Sequence, residues 1–383
     1  MIRHKILSLF ANIVVADAYL EVLGLDVVVA NELDPKRSAL YQKIYPKTKM
    51  VCGDITDEKT FCHIMDIARD GGVNCIVATP PCQGMSTAGK QKKFDVRNDL
   101  FRYALNAVNE LKPEYVLFEN VTGFLKTKVM YKNKPMLITD VVLNEIGNDY
   151  LVNFYSINAK DYEVPQTRER MIMLATRKNR DKKHPEWVMP KKCDKVVTME
   201  EAIGWIPIID PFVKDLSPEV FEKLFPNYEE RKKAALKISK WNFPTTHVYR
   251  NVLAMQHTPT GCTAFDNPVY KPLKKDGTPV RGFHNTYKRQ NSNTPAYTIA
   301  MDNIEISSQN NVHPGRLVGK DENGDEIYSD ARALTVFVLM ILMSIPETWP
   351  VPDDTNPAFL RHMIGEGVPS LLIKKIFENL KDE

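Results

Sequence analysis

The chain has 383 residues, of which 43% are apolar and 26% are charged, a composition typical of a globular protein long enough for two domains. A formal net charge of +3 is too small to establish a polyanionic partner by itself. The six cysteines form no CxxC pair and no Cys/His pairing at zinc spacing, so neither a disulfide scaffold nor a structural zinc site is indicated. The sequence shows no secretory leader and no apolar run of membrane-spanning length, so we expect a cytoplasmic protein with no membrane partner and no metal.

Strand and helix patterns alternate along roughly the first 175 residues. The predicted strands are residues 5–10, 26–32, 50–54, 74–78, 115–118 and 170–174, and the predicted helices are residues 15–24, 35–45, 58–70 and 98–111. Such alternation indicates βαβ units with right-handed crossovers. We therefore expect an α/β fold with a doubly wound, mostly parallel sheet, whose strand ends form one site.

A thiol follows the fourth predicted strand at a tight turn. Pro80 and Pro81 lack backbone donors and have a fixed φ, so they end the strand and stiffen the loop after it. Cys82 is thereby presented at the carboxyl end of the strand, where ligands bind in open α/β sheets. Considered alone, Cys82 is explained equally well as an inert buried cysteine.

Carboxylates follow three other predicted strands. Glu32 stands about twenty residues beyond the first turn, where an acid can accept hydrogen bonds from both hydroxyls of a ribose. Asp54 has the place of an acceptor for the exocyclic amine of adenine, and Glu119 follows the fifth strand. A lone acid at such a place is more often a helix cap or a solvated residue. Four polar strand ends in register favour a functional site.

Three short motifs occur in a fixed order along the chain. They are PPCQG at residues 80–84, FENV at residues 118–121 and QTRER at residues 166–170. In this order and spacing they resemble the motifs of the cytosine-5 DNA methyltransferase family. Residues 95–101, 332–335 and 364–369 resemble three further motifs of that family, whereas residues 179–293 match none. The family keeps its target-recognition region in that unmatched part.

The resemblance implies transfer of a methyl group from S-adenosylmethionine to carbon 5 of cytosine. Cys82 is then the nucleophile that adds to carbon 6, and Glu119 holds a proton at nitrogen 3 of the base. Arg170 would face the carbonyl oxygen of the base, and Arg168 would support the catalytic loop. The implied cofactor-binding residues are Phe10, Asn12, Glu32, Leu33, Asp54, Ile55, Pro80, Leu100, Glu366 and Val368.

The sequence departs from the family pattern near the implied cofactor site. The glycine-rich first turn is replaced by residues 10–14, which contain no glycine. Asn12 tolerates left-handed backbone angles, but we expect Val14 to crowd the methionine part of the cofactor. Glu366 stands where the family usually has Asn, which adds negative charge. A further departure is apolar residues at 336–339. These differences put cofactor affinity in doubt, rather than the fold.

From about residue 179 the composition changes to basic runs and turn formers. We expect phosphate contacts from Lys178, Arg180, Lys182, Lys183, Lys191, Lys192, Lys195, Lys271, Lys274, Lys275, Arg281, Lys288 and Arg289. Loops that read base edges are indicated by Gly261, Gly277, Gly282, Thr258, Thr260, Thr263, Asn285 and Tyr287. Residues 219–240 have the pattern of one surface helix, and Trp205, Trp241 and Phe243 are expected in the core.

We expect a catalytic and cofactor-binding domain over residues 1–200 and a smaller, loop-rich target-recognition domain over residues 201–330. A hinge segment over residues 331–355 and a C-terminal helix over residues 356–383 would return the chain to the catalytic domain. The resemblance implies a monomer that methylates a flipped-out cytosine in a specific double-stranded DNA sequence, paired genetically with a restriction endonuclease. Two alternatives remain: a tRNA cytosine-5 methyltransferase and a catalytically silent nucleic-acid-binding relative.

Overall fold

The computed structural model describes residues 4–12, 16–81, 96–178 and 185–380. The strands within these ranges are β1 (His4–Leu9), β2 (Leu25–Glu32), β3 (Lys49–Cys52), β4 (Cys75–Ala78), β5 (Tyr115–Asn120), β6 (Lys128–Tyr131), β7 (Lys134–Leu137), β8 (Tyr150–Asn158), β9 (Glu169–Arg177), β10 (Phe212–Val213), β11 (Thr246–His247), β12 (Leu317–Lys320) and β13 (Glu326–Tyr328). The helices are α1 (Pro35–Ile44), α2 (Glu58–Gly71), α3 (Phe101–Leu111), α4 (Ile138–Ile146), α5 (Met199–Ile203), α6 (Pro218–Leu224), α7 (Tyr228–Ile238), α8 (Tyr249–Gln256), α9 (Val336–Leu342), α10 (Pro357–Glu366) and α11 (Ser370–Glu378).

The main sheet has seven strands in the order β3-β2-β1-β4-β5-β9-β8. The first five of these are mutually parallel, and β9 runs antiparallel to both β5 and β8. The chain runs outward from β1 to β3 and then places β4 on the other side of β1. A crevice opens at the carboxyl ends of the strands where the order reverses in this way. The expected doubly wound, mostly parallel sheet is confirmed.

Hydrophobic clusters cover both faces of the main sheet. α2, α3 and α4 pack on one face, against buried side chains of β1, β4 and β5. α11 packs on the other face, where Leu372, Ile373 and Ile376 are buried with Trp187. The C-terminal helix is therefore part of the core of the main sheet. None of the helices in the described ranges is long and apolar enough to cross a membrane.

Two further clusters lie beyond the main sheet. One joins Leu40 and Ile44 of α1 to α5, α9 and α10. The other holds α8 against the loops between residues 264 and 331. Buried residues between positions 334 and 364 thus pack on α1, the helix that follows β2.

Three predictions about local structure were wrong. Residues 16–19 and 21–23 form two short 3₁₀ turns in place of one helix, because Gly24 has a left-handed φ of 73° that ends the second turn and starts β2. The helix expected over residues 219–240 is two helices, since Pro226 lacks an amide hydrogen and disfavours a helical Phe225. Trp205 is 56% exposed and does not belong to the core.

Candidate active site

The segment leading to Cys82 is held at the crevice between β1, β4 and β5. The Thr79 hydroxyl donates to the Phe10 carbonyl at 3.0 Å, and the Thr79 amide donates to the Leu9 carbonyl at 3.2 Å. The Asn120 side-chain amide donates to the Pro80 carbonyl at 2.9 Å. These bonds fix the chain from both sides just before the thiol. Cys82 itself lies outside the described residues.

Glu119 and Arg170 form a buried ion pair at the carboxyl end of β5. Arg170 Nε lies 2.7 Å from Glu119 Oε1, and both side chains are largely buried. The pairing of β5 with β9 places Glu119 opposite Ile172, so Arg170 is the diagonal neighbour on the same face. The sequence prediction named both residues, and the structure brings them together.

Burial raises the pKa of the Glu119 carboxyl, whereas the charges of Arg170 and Arg168 and the hydrogen bond from Arg170 act in the opposite direction. Burial has the larger effect because the carboxyl is almost fully removed from water. A carboxyl in this setting holds a proton at a pH where an ordinary glutamate has lost it. The pair can therefore donate a proton and stabilise negative charge in one place.

Arg168 is fully buried and joins three parts of the chain. Its Nη1 group donates to the Ile299 carbonyl at 2.9 Å. Its Nη2 group donates to the carbonyls of Gly365 and Gly367 at 2.9 and 2.8 Å. These contacts tie the start of β9 to the backbone at Ile299 and to the end of α10. The catalytic loop that Arg168 is expected to support lies outside the described residues.

Glu32 organises the first turn through backbone contacts. Its Oε2 accepts from the Asn12 amide at 2.8 Å, and its Oε1 accepts from the Asp34 amide at 2.9 Å. Each oxygen keeps a second lone pair for a ligand.

Phe10 and Asn12 have left-handed φ values of 60° and 54°. Asn is one of the few residues other than glycine that adopt this conformation readily, so the first turn forms without the expected glycines. Val14 lies outside the described residues.

The other expected cofactor residues surround the same edge of the sheet. Leu33 is 64% exposed directly after β2, and the Asp54 carboxylate accepts from the Thr56 amide at 2.9 Å. Ile55 is buried in the core cluster against which Phe10 and Leu100 also pack. Pro80 is buried at the end of β4, and Val368 is buried on the opposite face of the sheet.

Glu366 is joined to the first turn and to α1. Its Oε2 lies 3.0 Å from Arg37 Nη1 and 3.5 Å from Asn12 Nδ2, and its Oε1 lies 3.5 Å from His362 Nε2. The negative charge that the sequence adds here is thus paired with Arg37. We name Asn12, Arg37, His362 and Glu366 the Glu366 cluster.

The residues at this edge fit an adenosyl cofactor. Glu32 offers free acceptor capacity where a ribose needs it, and Leu33 offers an exposed apolar surface beside it. Asn12 Oδ1 is a buried acceptor without a hydrogen-bond partner among the described residues. Such an atom favours a ligand that donates a hydrogen bond. In the described ranges no group of three His, Cys, Asp or Glu side chains has the geometry of a metal site.

Sequence reasoning missed Arg37 and the segment around Ile299. Arg37 looks like an ordinary first-turn residue of α1, and its partner Glu366 is 329 positions away. The Ile299 segment contributes backbone atoms to the site: the Ala296 carbonyl accepts from the Thr167 amide at 2.7 Å, and the Ile299 amide donates to Gln166 at 3.1 Å. No residue pattern in the sequence signals such backbone contacts.

Several expected DNA contacts are structural. Thr258 and Thr263 donate from their hydroxyls to the carbonyls of Ala254 and Thr286, and both are buried. Tyr287 is also buried. Arg289 is fully buried, with bonds to the carbonyls of Met255, His313, Ser329 and Asp330. These contacts hold the loops between residues 254 and 330 together, so the four side chains are not on the surface.

Exposed cations occur in the loop after residue 270. The exposed basic residues of this loop are Lys271, Lys274, Lys275 and Arg281, and Phe283 in the same loop is 78% exposed. In the earlier basic run Lys192 pairs with Asp161 at 2.8 Å and Lys195 with Glu201 at 3.4 Å. Arg180, Lys182 and Lys183, for which phosphate contacts were also predicted, lie outside the described residues.

Comparisons with known proteins agree with one another. The family model for C-5 cytosine-specific DNA methylase matches residues 4–382. The chain is 40% identical over 382 residues to the type II methyltransferase M1.HgaI of Avibacterium volantium, covering 98% of each chain. It is 29% identical to the type II methyltransferase M.XorII of Xanthomonas oryzae, covering 98% of this chain and 84% of the relative.

Two solved structures share the fold. A DNA modification methyltransferase encoded within a prophage of E. coli aligns with a TM-score of 0.66 at 21% identity, over 98% of both chains. Spodoptera frugiperda DNMT2 aligns with a TM-score of 0.57 at 15% identity, over 98% of this chain and 99% of its own. At these identities the likeness concerns the fold alone.

Proposed function

The chain belongs to the family of C-5 cytosine-specific DNA methylases, and from that premise we propose how its own residues perform the methylation of cytosine in DNA. The target cytosine must leave the DNA stack, because attack on carbon 6 comes from above the plane of the ring. S-adenosylmethionine, when bound, supplies the methyl group. The thiolate of Cys82 adds to carbon 6 and makes carbon 5 nucleophilic; once carbon 5 carries the methyl group, it loses its proton and the bond between Cys82 and carbon 6 breaks, which restores the aromatic ring and the thiolate.

Glu119 and Arg170 stabilise the charge that this addition places on the ring. The protonated carboxyl of Glu119 donates to nitrogen 3, and the guanidinium of Arg170 faces the carbonyl oxygen of the base. The observation that carries this assignment is the 2.7 Å contact between Arg170 Nε and Glu119 Oε1 in a buried setting that raises the pKa of Glu119. Arg168 acts as a positioning residue, since it holds backbone carbonyls of two other segments.

The cofactor site that we propose lies at the carboxyl ends of β1, β2 and β3. Glu32 accepts from the ribose, Leu33 and Ile55 enclose the adenine, and Asp54 accepts from its amine. Phe10, Asn12, Pro80, Leu100, Glu366 and Val368 complete the site. The open acceptor capacity of Glu32 and the exposed side chain of Leu33 support this placement.

We further propose that the chain is the modification enzyme of a restriction-modification system. Its relative at 40% identity over nearly the full length of both chains is named a type II methyltransferase. The division into a catalytic domain over residues 1–200, a recognition domain over residues 201–330, a hinge over residues 331–355 and a returning C-terminal helix belongs to the same proposal. So do a monomeric state and a cytoplasmic location.

The two alternatives considered from the sequence are not favoured. The likeness to DNMT2 rests on 15% identity and concerns only the fold, so it gives no support to a tRNA substrate. A catalytically silent relative was suggested by the changed first turn and by Glu366. In the structure the first turn forms with Asn12 in a left-handed conformation, and Glu366 is paired with Arg37.

Methylation can be tested on cellular DNA. DNA from cells that express the chain should show protected cytosines within one short sequence after bisulfite treatment, and DNA from cells that express Cys82→Ala should show none. Methylation at an exocyclic amine, or equal protection with Cys82→Ala, would contradict the proposed reaction.

A further inference from the structure

The Glu366 cluster joins two positions at which the sequence departs from the family pattern. Asn12 stands where the family has a glycine in the first turn, and Glu366 stands where it usually has an asparagine, at the end of α10. In the structure these two side chains meet, with Asn12 Nδ2 3.5 Å from Glu366 Oε2. The backbone amide of Asn12 also donates a hydrogen bond to Glu32, the residue that we propose binds the ribose. The two departures are therefore parts of one arrangement at the cofactor site.

This cluster has hydrogen-bond acceptors that its own donors do not fill. Asn12 Oδ1 is buried and has no partner among the described residues. Of the contacts that the described residues make with the Glu366 carboxylate, only that with Arg37 Nη1, at 3.0 Å, lies well within hydrogen-bond range. The contacts with Asn12, His362 and the second guanidinium nitrogen of Arg37 are 3.4 to 3.5 Å long. A carboxylate has about four acceptor positions, so capacity remains.

The backbone around Glu366 is held rigidly. The carbonyls of the two flanking residues, Gly365 and Gly367, both accept from Arg168 Nη2. A side chain at Gly365 would place its first carbon 2.3 Å from the Ala300 carbonyl oxygen, so the segment is packed closely against the recognition region. A carboxylate presented from such a fixed segment loses little side-chain and backbone freedom when it binds a ligand.

We propose that Glu366 and Asn12 bind the α-ammonium group in the methionine part of the cofactor, with Arg37 holding the carboxylate in place. The inference rests on the proposed function, because it assumes an adenosyl cofactor at this edge of the sheet. An ammonium group has three donors and no acceptor, which complements a carboxylate beside an open amide oxygen. The α-carboxylate of the cofactor does not suit these two groups, because it has no proton to donate to the Glu366 carboxylate or to Asn12 Oδ1.

The arrangement makes Glu366 a residue that determines cofactor specificity. It distinguishes ligands with the amine from ligands without it. A purely structural role, in which Arg37 and Glu366 only dock α1 against α10, predicts that both kinds of ligand are affected alike when Glu366 is changed.

Binding calorimetry with three ligands separates these roles. The ligands are S-adenosylhomocysteine, its analogue without the α-amino group and its analogue without the carboxylate. We expect the unmodified protein to bind the desamino analogue about ten- to a hundredfold more weakly than S-adenosylhomocysteine, the usual effect of losing a charge-assisted hydrogen bond. In Glu366→Gln this ratio should fall below about threefold, because an amide binds an ammonium group weakly. Loss of the carboxylate should weaken binding to the same extent in both proteins.

The matched control is Glu378→Gln. Glu378 lies on α11, is half-exposed and pairs with Lys374 at 3.6 Å, and this contact involves no member of the Glu366 cluster. The change should leave all three affinities as they are. Equal weakening of S-adenosylhomocysteine and the desamino analogue in Glu366→Gln would overturn the inference in favour of a structural role. So would equal affinity of the unmodified protein for these two ligands. Failure of all three ligands to bind the unmodified protein would contradict the proposed cofactor itself, and the inference with it.

Discussion

At the residue scale, burial decides how Glu119 and its neighbours behave. Arg170 and Arg168 both favour the ionised carboxylate, yet removal from water raises the pKa of Glu119. The same edge of the sheet contains two residues with left-handed backbone angles, Phe10 and Asn12. Protonation and backbone conformation at single positions therefore set the chemistry of the site.

The raised pKa of Glu119 predicts the pH dependence of methyl transfer. If the protonated carboxyl is the working form, the single-turnover rate should fall as the pH rises through the pKa of Glu119. Glu119→Gln should lower the rate by about a hundred- to ten-thousandfold, because an amide cannot deliver the proton. The rate of the variant should also no longer fall as the pH rises through this range. The same fall of the rate with pH in wild type and Glu119→Gln would show that another group titrates.

The left-handed angle of Asn12 predicts an order of stabilities. Asn12→Gly should change the free energy of unfolding by less than about 1 kcal/mol. Glycine adopts the left-handed angle without steric strain, but it loses more backbone entropy on folding. Asn12→Ala should cost about 1–2 kcal/mol, because a β-carbon strains a φ of 54° and alanine lacks the short polar side chain that makes this angle acceptable for asparagine. Urea unfolding without cofactor measures both. An alanine variant as stable as the glycine variant would refute the strain at this position.

At the element scale, fully buried charges join the segment that precedes α9 to the chain at Ile209. Asp330 accepts from Arg332 at 2.6 Å, from the Ser329 hydroxyl at 2.7 Å and from the Ile209 amide at 3.1 Å. Burial would raise the pKa of Asp330, but His313, which is charged at the acid pH where Asp330 titrates, and Arg332 act in the opposite direction. Together with the hydrogen bonds from Ser329 and Ile209 they keep this pKa well below its usual range. Burial lowers the pKa of His313 to about 3, so the neighbouring histidine is neutral near pH 7 and Arg332 is the compensating charge.

The pairing of Asp330 with Arg332 predicts a large effect on stability. Asp330→Asn should lower the free energy of unfolding at pH 7 by about 3–5 kcal/mol, because it leaves the buried Arg332 guanidinium without a counter-ion. Asp325→Asn, at an exposed turn of the same region, should change it by less than about 0.5 kcal/mol. The difference should shrink at acid pH as Asp330 itself becomes protonated. Similar urea midpoints for the two variants would contradict this assignment.

At the scale of the whole molecule, the sheet order brings together residues that are far apart in the chain. The reversal between β1 and β4 places Phe10, Thr79 and Asn120 at one crevice. The end of α10 then returns to this crevice, so that Glu366 meets Asn12 and Arg37. Arg168 connects the end of α10 to the backbone at Ile299.

The sequence predicts the parts of this arrangement that follow a local pattern. Apolar runs between turn formers give the strands, and the polar residues that end them give Glu32 and Glu119. The contact of Arg37 with Glu366 is not predictable in this way, because it depends on how α1 and α10 pack. Nor is the burial of Thr258, Tyr287 and Arg289, since polar residues among turn formers look alike whether they face solvent or satisfy backbone carbonyls.

The most direct test of the central claim is covalent trapping on duplex DNA that contains 5-fluorocytosine in the methylated sequence. Fluorine at carbon 5 cannot leave as a proton, so the bond from Cys82 to carbon 6 should persist after methyl transfer. We predict a complex that resists denaturation only when S-adenosylmethionine is present and that does not form with Cys82→Ser. Turnover of the fluorinated DNA without a trapped complex, or a trapped complex with Cys82→Ser, would contradict the mechanism.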